Sequence, residues 1–127
     1  MKTQTKTETC YTIADLLALG NDALNSLAAE LRGWTLSRSK IFWRDSDGEV
    51  VCHRASFTPA TDRNQSGELL RHAAKQDADI LVWTGNDRND IDCTINQTHW
   101  FQISGNDARA ETIAFCAAML AMEGRLR

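Results

Sequence analysis

The chain has 127 residues, of which 43% are hydrophobic and 24% charged, and a formal net charge of −3. These proportions fit one globular domain with a self-sufficient core. The Lys and Arg are scattered where a nucleic-acid binder normally shows a basic stripe, which disfavours nucleic acid as a partner, and the charge is too small for an acidic mimic of DNA.

Residues 1–11 read as a polar tail ahead of a single domain spanning 12–127. The alternation of Thr3, Thr5, Thr7 and Thr9 with polar residues leaves an edge strand open. Met1 to Thr9 lacks the apolar core of a signal peptide, and no run reaches the ~20 apolar residues of a membrane helix. The expected location is therefore the cytoplasm, with no membrane partner. Cys10, Cys52, Cys93 and Cys116 then read as free thiols that pack as small hydrophobes.

Thr12 and Asp15 form a capping pattern ahead of Leu16, Leu17 and Leu19, and Gly20 closes that short helix. Leu24, Leu27, Ala28 and Leu31 give the i, i+3, i+4, i+7 stripe of a second helix, ended by Gly33. The period then changes. Trp34, Leu36 and the Ile41-Phe42-Trp43 group predict a strand over 34–44, a turn ending at Gly48, and a return strand over 49–54.

Pro59 disfavours helix at Thr58, so residues 57–59 are expected to leave the strand extended. Asp62 and Gln65 fit a capping box in which the Gln65 side chain reaches back to the cap, opening a helix over 63–76. Leu69, Leu70, Ala73 and Ala74 make its expected buried face, and Gly67 costs about 1 kcal/mol relative to Ala unless a close backbone contact requires it. The run Ile80-Leu81-Val82-Trp83 predicts a short strand, residues 85–90 a polar turn, and residues 91–103 another strand. Asp107 caps a last, alanine-rich helix over 108–124, whose apolar surface is wide enough for two packed sides. The expected architecture is a layered α/β sandwich of the α+β class: a mainly antiparallel sheet of four to five strands from two hairpins, packed by about three helices.

Three clusters, LAAELRGW (27–34), FTPATDRNQSGELL (57–70) and ETIAFCAAMLAMEG (111–124), follow one another as in the phage ABA sandwich domain family, the NinX-like small phage proteins, which this chain resembles over most of 12–124. The resemblance implies a phage-encoded accessory protein in the host cytoplasm with an α-β-α layered fold. It implies no reaction.

Several constellations invite chemistry. Cys52, His53, Cys93 and His99 would surround a metal only if their strands were neighbours, and adjacent strand residues such as Cys52 and His53 point to opposite faces; core thiols and surface imidazoles are the simpler reading. No Cys or Ser sits in a local nucleophile signature with His53, His72 or His99. The acidic groups Asp45, Asp47, Glu49 and Asp87, Asp90, Asp92 read as solvated turns, and the first lacks the calcium-loop pattern. Residues 61–64 offer a polar helix start, read as a plain cap rather than an anion site. No catalytic residue, metal or cofactor is therefore expected.

Of the four tryptophans, Trp43 and Trp100 stand beside polar neighbours and are expected at the surface, where Trp favours binding hot spots. The leading expectation is a non-enzymatic binding module that engages a host protein of defence or replication, through Trp43, Arg44, Trp100 and the turn holding Asp87 and Arg88. The alternative is a protein that sequesters a nucleotide or other small molecule, needing aromatics for a base and Arg63, Arg71 or Arg88 for phosphate. A small metal-dependent hydrolase ranks third. A homodimer is compatible with the width of the last helix.

Overall fold

A computed structural model describes residues 9–76, 78–85, 87–95 and 99–127, the side chains of 99 and 100 excepted. The threonine alternation before Thr9 lies outside the described residues. Capping sets where the helices begin. Helix α1 (Ile13–Ala18) opens on the expected reciprocal box, with Thr12 Oγ1 accepting from Asp15 N–H and Asp15 accepting from Thr12 N–H. Helix α2 (Asn21–Leu31) buries Leu24, Leu27, Ala28 and Leu31 on its predicted stripe.

At helix α3 (Arg63–Ala74) Asp62 caps as expected, accepting from Asn64 and Gln65 N–H. Gln65 does more than close a box. Its amide nitrogen donates to Asp62 Oδ2 and to Ser56 O, and its oxygen accepts from Thr58 N–H at 2.8 Å. The segment around Pro59 is thereby stitched to the helix it precedes. Helix α4 (Ala108–Met122) starts at Asp107, which accepts from Ala110 N–H.

The strands depart from expectation. Six are present among the described residues, arranged as two antiparallel three-stranded sheets in place of a single sheet of four to five. The first sheet orders β1 (Thr35–Leu36), β2 (Phe42–Arg44) and β3 (Val50–His53); the second orders β4 (Ala78–Trp83), β5 (Asp90–Ile95) and β6 (His99–Ser104). The expected strand over 34–44 is broken because Ser37 Oγ accepts from Ile41 and Phe42 N–H, and Lys40 adopts a left-handed φ of 64° that turns the chain. The expected strand over 91–103 likewise folds back on itself, pairing Ile95 with His99 and Asp90 with Ser104. The α+β class stands.

Helix α4 is the centre of the molecule. Every side chain from Ala110 to Leu120 is buried. The second sheet, α1, α2 and α3 all pack on it. Ala114, Ala117 and Ala118 keep the approaches close, while Ile113, Phe115 and Leu120 fill the space between layers. On β5 the pattern is a strict alternation, with Ile91, Cys93 and Ile95 turned to the helices. Among the described residues, helices thus cover the second sheet on one face only.

Two ties complete the frame. Arg109 donates to Leu17 O, Leu19 O and Asn21 Oδ1, satisfying carbonyls that the end of α1 leaves open. Tyr11 bridges to Leu126, with Tyr11 N–H on Arg125 O at 2.8 Å and Arg127 N–H on Tyr11 O at 2.7 Å. Residues 9–11 therefore belong to the folded domain.

Candidate functional site

Because the helices cover one face, the pleat of the second sheet sends every other side chain to solvent. On β4, Ile80 and Val82 turn inward and Leu81 and Trp83 outward, and the latter two are 54% and 38% exposed. The register sets Leu81 opposite Asp92, and Asp92 opposite Gln102; Trp83 stands opposite Asp90.

The turn between β4 and β5 folds Arg88 back over this face. Its guanidinium lies 4.5 Å from the centre of the Trp83 ring, a cation–π contact over the aromatic face. Arg88 Nη2 donates to both oxygens of Asp92, at 2.6 and 2.7 Å, and its Nε is 2.8 Å from Asp90 Oδ1. Trp83 Nε1 donates to Asp92 Oδ2 at 2.9 Å, and Gln102 Nε2 donates to Asp90 and Asp92. The pairing with Asp90, with Asp92 adding to it, holds the guanidinium more firmly protonated than an ordinary arginine. Asn106 steadies the base of the turn through Trp83 O and Asn89 Oδ1.

The result is a large aromatic ring held in one orientation by a charged network, beside an exposed leucine. Preorganised groups of this kind lose little freedom when a partner arrives. The face is also acidic, since Asp79, Asp90 and Asp92 outnumber Arg88 on it.

The residues expected to form a site scatter differently. Trp43 is not a surface residue: it is 2% exposed, because β2 alternates Phe42 out, Trp43 in, Arg44 out. Arg44 is exposed, but its guanidinium donates to Gly48 O and serves the hairpin turn. Arg63 sits at the start of α3, donating to Asn106 O and to the buried Glu111, whose other oxygen accepts from Ser66 Oγ. That network ties α3 to α4. Asp87 is exposed beside Arg88 in the turn. The Trp100 side chain lies outside the described residues. Arg71 pairs with Glu68, so each arginine of the expected phosphate pocket already has a carboxylate beside it. Sequence reading missed Leu81, Trp83 and Gln102 as surface groups; the available signal was the two-residue period hidden inside the uniform run Ile80–Trp83.

The thiols are poorly placed for chemistry. Burial, with the Asp79 carboxylate adding to it, pushes Cys93 up to about 12; burial raises Cys116 still further, and raises Cys52 as well. Cys52 lies in the first sheet and Cys93 in the second, and among the described residues no three His, Cys, Asp or Glu side chains converge as metal ligands. In the hairpin turn Asp45 accepts from Asp47 and Glu49 N–H, which accounts for that acidic group as turn chemistry. No described helix is long and apolar enough to cross a membrane. No protein-family model, curated protein or solved structure matches the chain.

Proposed function

We propose that the chain is a small phage-encoded accessory protein, not an enzyme, that binds and modulates a protein of the host cytoplasm through the open face of its second sheet. The observation that carries this reading is the Trp83–Arg88–Asp92 assembly: an exposed indole, fixed by a stacked guanidinium and a hydrogen bond to its own nitrogen, next to the exposed Leu81. Tryptophan and arginine dominate binding hot spots, and a rigid anchor loses little side-chain entropy on docking. The surrounding carboxylates select a partner with a basic rim around an apolar socket. The phage origin rests on the resemblance in residues 27–34, 57–70 and 111–124, and a host defence or replication protein is the target that this origin suggests.

The experiment is capture of the tagged protein from host lysate, followed by native mass spectrometry, with wild type and Trp83→Ala in parallel. A discrete protein should accompany the wild type and be lost with Trp83→Ala, whose Tm should remain close to that of the wild type. Equal capture by both would remove this face as the site, and capture of nothing by the wild type would remove the reading.

A further inference from the structure

A second recess shares no residue with that face. Helix α2 packs on α4 and leaves the β2–β3 hairpin standing off, so a groove of about 470 Å³ opens between them. That volume lies within the range of small-molecule sites. Its apolar part is formed by Ile41, Trp43 and Phe57.

The polar part is rich in donors. Lys40 and Arg54 both reach it, and among the described residues neither has a carboxylate within ion-pair distance. Asp22 is the only acidic side chain in the described wall, so the lining carries a net positive charge on a chain of net charge −3. His53 accepts from Ala55 N–H through Nδ1 at 3.0 Å, which places the proton of its neutral form on Nε2, as a donor. Asn25 is fixed in the same sense. Its Oδ1 accepts from Ala60 N–H at 2.9 Å, and no described residue takes its amide protons. Four side chains thus offer N–H groups, beside an aromatic and aliphatic floor.

We propose that this groove binds a small organic oxyanion carrying a flat ring, the anion held between Lys40 and Arg54 and the ring laid along Ile41 and Phe57. Charge-assisted hydrogen bonds to an oxyanion are the strong ones, and ring contact adds burial that an inorganic ion lacks. Carboxylate and phosphate share the chemistry required.

The test is calorimetric titration of the whole chain with phenyl phosphate, benzoate, inorganic phosphate and benzyl alcohol. Phenyl phosphate or benzoate should bind with a Kd below about 1 mM, at least tenfold more tightly than inorganic phosphate or the uncharged alcohol. Which of the two binds better identifies the anion. Arg54→Ala and Lys40→Asn should each weaken binding tenfold or more; Asn is chosen because it tolerates the left-handed backbone at position 40. Arg71→Ala, a distant exposed arginine, should leave it unchanged. No binding of either ring anion, or binding unaffected by both groove variants, overturns the proposal.

Discussion

The two sheets contain three strands each and are held in opposite ways. In the second, Ile91, Cys93, Ile95 and Ile103 form a continuous inner surface against α4, and the side chains of β5 alternate without interruption. In the first, the register slips between Trp43 and Arg44, and Val50 and Val51 both stand exposed. Its main attachments are aromatic: Trp43 beneath the strands, and Trp34 edge-on to Phe57 at 5.0 Å with Arg32 stacked 4.7 Å away. Regular alternation therefore builds a surface whose outer face is free for recognition. An irregular hairpin hung on a few large rings leaves a groove behind it.

Removing the Trp43 anchor should have the largest effect. Trp43→Ala is expected to cost about 3–5 kcal/mol, and hydrogen exchange should accelerate in β1–β3 while β5 stays protected. Uniform acceleration would mean that the two sheets unfold as one. Matched truncations sharpen the contrast: Ile103→Ala should cost about 2–5 kcal/mol, whereas Val51→Ala on the first sheet should fall within about 0.5 kcal/mol of neutral, both read by urea denaturation.

The thiols supply a third comparison. At pH 8, a thiol reagent should leave Cys93 and Cys116 unlabelled until the chain unfolds, while the half-buried Cys52 reacts in the native state. The same burial sets an alkaline limit. Unfolded thiols lose their protons near 9, whereas folded Cys93 keeps its proton to about 12. Over that interval the unfolded chain binds fewer protons, so stability should fall as pH rises. Cys93→Ala should flatten the slope. One expected change is a gain. A methyl group at Gly67 would meet only Arg71 Nη1 at 3.8 Å, so Gly67→Ala should stabilise α3 by about 0.5–1 kcal/mol, raising Tm.

The helices were legible because each carries its own signals: Thr12 and Asp15, Asp62, and Asp107 mark starts, and the leucine stripe of α2 marks its buried face. Strand breaks were less legible. The turn at Ser37–Lys40 depends on a serine hydroxyl and on a lysine in a conformation usually left to glycine, and neither residue announces it. The surface was least legible. A run such as Ile80-Leu81-Val82-Trp83 reads as wholly buried, since only the tertiary placement of helices reveals that one face is uncovered. Trp43, expected at the surface, is instead buried, and Trp83 is the exposed indole of the two. Polar neighbours in sequence say little about a strand side chain, whose surroundings are the cross-strand residues of its own face.

The central position of α4 has a consequence for synthesis. Its partners α1 and α2 emerge from the ribosome some 80 residues before it, as the Arg109–Asn21 separation of 88 positions illustrates. Until Ala108–Met122 is made, the faces that α1, α2 and the second sheet turn toward it lack that partner. The nascent chain carries the apolar faces of α1 and α2 uncovered while the residues between them and α4 are made, and α4 then closes over them.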